Sequence, residues 1–215
     1  MGQGEAMRHL PLILTALFSL PATAAEPVFS GFMNDAVTGQ FASDGSFEKL
    51  DTPRVGLIQT GSLDISLEQT SMAAVLEAYG GTLNDVGEAG GRVLWICYAV
   101  PSGFTVWFYS DGEMGGGDVT AVATEVGAPD PSWGCSPSPP ALQYLQLDIP
   151  GLSAHPTELD AVFVPVPPDA AGRVGFTSES PHPVMDGFKI WQDYVYRIGP
   201  DGIVDAVAVV QITGD

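Results

Sequence analysis

The chain has 215 residues, of which 26 are acidic and 7 are Lys or Arg, so its formal net charge at pH 7 is −19. A surface this acidic repels phosphate backbones and anionic lipids, which argues against nucleic acid and anionic membranes as partners and favours basic protein surfaces or cations. The alternative is that the acidity only keeps an exported protein in solution. Disorder is not expected, because 45% of the residues are hydrophobic.

Residues 1–25 have the pattern of a secretory signal peptide. A short basic start precedes the apolar residues 10–20, and the small residues at 21–25 form a cleavage site. The apolar stretch is too short to span a bilayer comfortably, and no later run of about 20 apolar residues follows it. Translation from Met7 instead of Met1 is an alternative start, and a buried N-terminal helix is the alternative interpretation of the whole segment. The pattern predicts a periplasmic or secreted protein without a membrane span.

Residues 26–60 predict a loose arm or short hairpin that lies on the first of two folded units. The first unit covers 61–127. Ser66 to Gln69 fits a capping box, so a helix is expected from there to Tyr79, where two glycines end it. Three strands are expected after the helix, at 92–100, 104–110 and 118–126.

Residues 128–144 are dense in proline, which cannot donate to a sheet ladder, so they predict a linker between the two units. Cys135 lies in this linker and Cys97 lies in the first predicted strand, and the chain has no other cysteine. In an oxidising compartment an even count predicts a disulfide, which here ties the linker to the first unit. Two free thiols are the alternative.

Residues 145–215 are expected to repeat the plan of the first unit. Ser153 is expected to cap a helix over 157–163, with Pro156 in its first turn. Three strands are expected at 172–178, 187–198 and 203–212.

Four short sequences recur in the same order at offsets of 81 to 85 residues. They are Leu63–Ile65 and Leu147–Ile149, Gly91–Val93 and Gly172–Val174, Gly103–Trp107 and Gly187–Trp191, and Val119–Ala123 and Val204–Ala208. Such periodic similarity indicates a repeated structural unit. We therefore predict an α+β fold that is a tandem duplication of a unit made of one helix and a three- to four-stranded antiparallel sheet.

A helix followed by a tryptophan-bearing antiparallel meander, duplicated in tandem in an exported protein, resembles the beta-lactamase-inhibitor-protein-like fold. The single unit is also similar to the small outer-membrane-assembly lipoproteins of the SmpA/OmlA type. The resemblance covers residues 63–126 and 145–212, and it depends on element order and on the aromatic strands Phe104–Tyr109 and Ile190–Tyr194. It implies two units in which a helix lies on a sheet, and it carries over no site residue.

The alternation of side chains along two strands gives the sharpest functional prediction. Thr105, Trp107 and Tyr109 share one face of their strand, and Lys189 and Trp191 share the matching, more polar face of theirs. If the helices cover the opposite, phenylalanine-bearing face, these five residues form an exposed surface that binds another protein. The alternative is that they pack the two sheets or the N-terminal arm together.

Catalytic residues, metal ligands and cofactors are not expected. His155 and His182 lie beside prolines, at places that do not correspond in the two units. The acidic glycine-rich loops at 84–88 and 111–118 lack the alternating spacing of a calcium loop, so solvated turns are expected there. The sequence therefore predicts a non-enzymatic protein that binds another protein in the cell envelope or outside the cell. An inhibitor of a secreted or periplasmic enzyme is one form of this prediction. The alternatives are an envelope assembly module and a hydrolase with an unrecognised site.

Overall fold

A computed structural model of the protein describes residues 31–88, 91–112, 116–142 and 145–215. The predicted signal peptide and both candidate start methionines lie outside these residues. Within the described part of the chain, no helix is long and apolar enough to cross a membrane.

Most of the regular secondary structure in the described chain is β-strand, and three short α-helices accompany it. The helices are α1 (Phe32–Val37), α2 (Met72–Tyr79) and α3 (Pro156–Asp160), and a 3₁₀ turn covers Pro131–Trp133. The strands are β1 (Phe47–Lys49), β2 (Ile58–Gln59), β3 (Asp64–Ile65), β4 (Asn84–Val86), β5 (Val93–Val100), β6 (Phe104–Asp111), β7 (Ala121–Val126), β8 (Ser136–Pro137), β9 (Arg173–Pro181), β10 (Lys189–Ile198) and β11 (Val204–Gly214). This confirms the mixed helix-and-sheet class and the antiparallel meanders.

One nine-stranded sheet runs through the described residues in the order β1-β9-β10-β11-β7-β6-β5-β4, with β8 beside β5. The meanders β5–β6–β7 and β9–β10–β11 join at their third strands, where Ala123 of β7 pairs with Ala208 of β11. The two predicted units therefore share a continuous sheet. Joining them edge to edge removes two free sheet edges, which would otherwise attract other chains.

The sheet is covered on both faces by different parts of the chain. The helix face bears Val106, Phe108, Tyr196 and Val207 and packs against α2 and α3 in the larger core. The arm face bears Trp95, Trp107, Val195 and a stripe of alanines, and α1 lies on it. Alanines have small side chains, so α1 approaches the sheet closely enough to bury Phe32, Met33 and Ala36.

The first predicted helix begins later than its sequence suggested. α2 starts at Met72 and is capped by Ser71, whose hydroxyl accepts the Ala74 N–H at 3.2 Å. The expected capping box at Ser66 is wrong because Glu68 has a φ of 59°, which no helix accommodates. The Glu68 carboxylate accepts the Thr213 N–H at 2.9 Å, so a contact with the far end of the chain sets this backbone.

The second predicted helix and the predicted linker also differ from expectation. α3 ends at Asp160, before the expected 157–163 span is complete, and its N-cap is His155 rather than Ser153. The proline-rich segment is not a detached linker, because β8 pairs in parallel with β5. Pro137 is accommodated because β8 is a two-residue strand outside the main path of the sheet. The Cys97–Cys135 disulfide is present and holds this segment on the arm face.

The two halves share details of their packing. Glu68 and Ser153 are the only non-glycine residues with positive φ in the described chain, and each donates its N–H to a valine carbonyl, Val119 at 2.8 Å and Val204 at 2.9 Å. Each half also clusters three aromatic rings between its helix segment and its first two strands. The clusters are Tyr79, Tyr98 and Phe108 in the first half and Phe163, Phe176 and Tyr196 in the second.

The aromatic clusters fix a register between the halves that differs from the sequence similarity. Phe108 matches Tyr196, so Trp107 matches Val195 and not Trp191. The segment from Tyr98 to Phe108 spans 10 residues, whereas that from Phe176 to Tyr196 spans 20. The second hairpin is therefore longer, and Trp191 lies on the part that the first half lacks.

Candidate functional site

The structure separates the five predicted binding residues into two groups. Trp107 is 0% exposed, Thr105 is 1% exposed and Tyr109 is 7% exposed, whereas Lys189 is exposed and Trp191 is half-buried. The prediction of an open face at Trp107 is wrong, and the alternative, packing by the N-terminal arm, describes what is seen. Only the second group remains available to a partner.

Trp107 is buried because three elements close over it. The Trp133 ring lies 5.1 Å from the Trp107 ring, α1 packs in the same cluster, and the disulfide holds the Trp133 segment in place. The Trp107 indole N–H donates to the Glu125 carboxylate at 3.0 Å. A ring that is covered and hydrogen-bonded in this way contributes to stability rather than to recognition.

The Glu125 carboxylate lies at the junction of the two meanders. Burial raises its pKa, and the charge of Arg197, 3.5 Å away, opposes that rise. Arg197 also donates to Asp205 at 2.6 Å, and its guanidinium lies over the Phe32 ring. This cluster joins β7, β10, β11 and α1.

The longer second hairpin and the strands beside it form the candidate site. We call this region the hairpin extension and define it as residues 177–192, β1 and residues 210–214. Its strands are in register across the arm face: Lys49 pairs with Glu179, Glu179 with Trp191, and Trp191 with Ile212. Nine large apolar side chains are exposed in the described residues, and five lie here: Phe47, Val184, Met185, Phe188 and Ile212.

The chain's two lysines also lie in the hairpin extension. Lys189 pairs with Glu179 at 2.8 Å, and Glu179 accepts the Trp191 indole N–H at 3.3 Å. The hydrogen bond from Lys189, followed by its charge, the Trp191 hydrogen bond and the charge of Lys49, lowers the pKa of Glu179. Glu179 thus stays ionised and fixes the Trp191 ring against the sheet.

The tip of the hairpin is fixed by one imidazole. His182 Nδ1 accepts the N–H of Val184 at 3.2 Å and that of Met185 at 2.9 Å. The strand pairing continues up to the tip, where the His182 N–H donates to the Phe188 carbonyl at 2.9 Å. The exposed apolar side chains of the tip are therefore held on an ordered backbone, which lowers the entropy lost on binding.

A cavity of about 310 Å³ opens within the hairpin extension, where β9 and the residues before β10 meet the end of β1. Its lining includes Lys49, Glu179, Phe188 and Lys189. Its volume is at the lower end of the range for sites that hold small ligands. Polar and apolar groups therefore converge at this end of the molecule.

Apart from His182, the residues considered for catalysis or calcium lie outside the hairpin extension. His155 is exposed at the start of α3, where its N–H donates to Glu158 at 2.8 Å. In the loop at 84–88, Asp85 forms an ion pair with Arg92 at 2.6 Å, and 84–86 form β4. The described residues hold no group of three His, Cys, Asp or Glu side chains that converge as metal ligands. Residues 113–115 of the second acidic loop lie outside the described chain.

Sequence reasoning identified Lys189 and Trp191 but missed the rest of the extension. Phe47 and Lys49 come from the arm, and only their pairing with β9 brings them to the site. The tip residues stood in a proline-flanked loop that predicted no structure. One sequence signal could have identified the site, namely the positions of the lysines. The chain has 26 acidic residues but only two lysines, and both lie in the extension.

No protein-family model matches this chain, and no curated protein or solved structure matches it either. The resemblance to inhibitor-like and assembly-lipoprotein folds therefore stays a prediction. The function must be argued from the side chains that the hairpin extension presents.

Proposed function

We propose that this protein is a non-enzymatic, exported protein-binding module that holds its partner with the hairpin extension. The observation that carries the proposal is the concentration of exposed apolar side chains on an ordered hairpin that the first half of the fold lacks. Aromatic and apolar anchors on a rigid backbone are typical of protein-recognition surfaces. The hairpin tip, residues 182–188, contributes no side chain to either apolar core, so it is free to serve recognition.

The charges of the extension suggest what kind of protein the partner is. Lys49 and Lys189 lie next to the apolar side chains, in a chain whose net charge is otherwise strongly negative. Opposite charges at an interface rim raise the association rate and exclude wrong partners. The partner that fits is a protein with an apolar groove and carboxylates at its rim, such as an exported enzyme that this protein inhibits.

Two further parts of the proposal concern origin and location. The matching aromatic clusters and the matching positive-φ residues support descent of the two halves from one duplicated unit. The Cys97–Cys135 disulfide is compatible with an oxidising compartment, which supports a periplasmic or secreted location.

Quantitative capture from envelope and culture-supernatant fractions tests the proposed function. Wild type is compared with the double variant Met185→Ser/Trp191→Ala and with Val164→Ser. Val164 is 66% exposed and lies outside the extension, so its variant controls for the loss of any exposed apolar side chain. We expect a partner that wild type and the control retain and the double variant loses.

The captured partner is then purified and titrated against the same three proteins. Loss of binding by the double variant alone supports the hairpin extension as the recognition surface. The proposal is overturned if all three proteins capture the same set, or if Val164→Ser loses the partner as completely as the double variant does.

A further inference from the structure

The cavity at the base of the hairpin extension has the composition of a site for an anion with an apolar tail. The cavity occupies about 310 Å³, and its walls are Lys49, Leu50, Glu179, Ser180, Pro181, Gly187, Phe188 and Lys189. Two of these residues carry side-chain amines, and Phe188 is 39% exposed. The chain has only two lysines, and both lie in the wall of this cavity.

The positive charge of the cavity is only partly neutralised. Glu179 is the one carboxylate in the wall and pairs with Lys189 at 2.8 Å. Lys49 lies opposite Glu179 in the strand register but forms no ion pair within the described chain. One amine is therefore left for an incoming anion, and the second is shared with Glu179.

We propose that this cavity binds a carboxylate carried on an apolar chain. The carboxylate lies between the Lys49 and Lys189 amines, and the apolar chain lies against Leu50, Pro181 and Phe188. The C-terminal residue of a protein and a free aliphatic acid both have this chemistry. The inference goes beyond the proposed function, because one of the two ligands is a free acid and not a protein. Its test needs no captured partner.

Four probes are titrated into the folded, isotope-labelled protein, and amide shifts are followed by NMR. Octanoate is compared with octanamide, and a short peptide ending in a free leucine carboxylate is compared with its amidated form. We expect the carboxylates to shift the amides of Ser180, Phe188 and Lys189, and the neutral probes to leave them unchanged. Binding of octanoate alone assigns a free acid, and binding of the peptide alone assigns a protein C-terminus.

Three variants and one control decide whether the named residues hold the carboxylate. Lys49→Gln and Lys189→Gln should each weaken binding by about threefold to tenfold, as expected for the loss of a partly exposed charge pair. Glu179→Gln should strengthen binding, because it frees the Lys189 amine while still accepting from Trp191. Arg92→Gln makes the same charge change as the lysine variants at a distant ion pair and should leave binding unchanged.

Equal binding of the carboxylates and the amides overturns the proposal. The proposal is also overturned if Arg92→Gln weakens binding as much as Lys49→Gln does. It is overturned as well if no probe shifts the amides of the cavity residues. Weaker binding in Glu179→Gln would also contradict it, since that result makes Glu179 a ligand group rather than a competitor.

Discussion

At the scale of single residues, Gln192 shows how one buried amide holds a distant segment. Its side chain is fully buried; Nε2 donates to the Val55 carbonyl at 2.6 Å and to Gln211 Oε1 at 2.8 Å, while Oε1 accepts the Val55 N–H at 3.1 Å. The amide thus pairs with the Val55 backbone as a neighbouring strand would. Polar networks of this kind specify a unique arrangement only when all their members are satisfied.

Gln192→Ala should therefore lower the free energy of unfolding by about 2 to 4 kcal/mol, because it leaves buried donors and acceptors of Val55 and Gln211 unpaired. Urea unfolding measures the change, and hydrogen exchange at the Val55 amide should speed up in the folded state. Gln59→Ala removes an exposed amide from the same region and is the control. Equal effects of the two variants would contradict the network.

A second residue-scale prediction concerns the docking of the N-terminal arm. A Cβ atom at Gly175 would lie 2.0 Å from Cδ2 of the Phe41 ring, so the ring needs glycine beneath it. Gly175→Ala should displace the arm near Phe41 and increase protease cleavage there. Phe41→Ala in the same chain should relieve the clash, so the double variant should be less destabilised than the sum of the two single variants. Additive effects would show that the ring and the glycine do not interact.

At the scale of elements, the sequence predicted the six long strands and α3 to within three residues, but it placed the start of α2 too early. β5 is a continuous apolar run, and the other long strands lie between turn signals, so each carries a local signal. Helix α2 starts late because of Glu68, whose carboxylate binds Thr213, and no local pattern contains that contact. Strand alternation assigned Trp107 and Tyr109 to one face, but α1 decides that this face is covered.

The disulfide is the element-scale device that keeps the Trp133 segment on the sheet. The two cysteines are 38 residues apart, and a loop of that length stabilises by about 4 kcal/mol in the chain-entropy treatment. The double variant Cys97→Ala/Cys135→Ala should lose that order of free energy and shift its tryptophan fluorescence as Trp107 and Trp133 become wetter. Wild type in reducing buffer should match it. An unchanged unfolding free energy would show that the segment is held by its other contacts.

At the hairpin tip we predict a change in the local order of the backbone without a change in the stability of the fold. His182→Ala removes the acceptor of the Val184 and Met185 N–H groups at an exposed site. The free energy of unfolding should change by less than about 0.5 kcal/mol, as for most surface substitutions. Hydrogen exchange at both amides should speed up, and partner binding should weaken. Unchanged exchange at Val184 and Met185 would show that the imidazole does not order the tip.

At the scale of the whole molecule, the continuous sheet depends on the junction between the two meanders. The repeated sequences predicted two similar halves, but their strongest similarity, Gly103–Trp107 with Gly187–Trp191, is four residues out of register with the packing. Contacts between distant strands set that register, and short sequence similarities carry no information about them. Because of this shift, Trp191 does not occupy the buried position that Trp107 has in the first half. It lies on the hairpin extension, where a partner can contact it.

The junction also makes stability depend on pH through Glu125, whose carboxyl pKa is raised mainly by burial. A carboxyl group whose pKa is higher in the folded state binds more protons folded than unfolded, so it stabilises the fold as the pH falls toward that raised value and opposes folding above it.

Glu125→Gln keeps an acceptor for Trp107 and removes the titration. The unfolding free energy of wild type relative to this variant should rise as the pH falls from neutral toward the ordinary glutamate pKa of 4.5, measured by urea unfolding. Asp44→Asn is the control: hydrogen bonds from the Ser46 hydroxyl and backbone N–H lower the pKa of that exposed carboxyl. The hydrogen bonds to Asp44 stabilise the fold above the ordinary aspartate pKa of 3.8, so the advantage of wild type over Asp44→Asn should be lost only as the pH falls through and below that value. A flat difference for Glu125→Gln would show that its carboxyl is paired by Arg197 strongly enough to cancel the cost of burial.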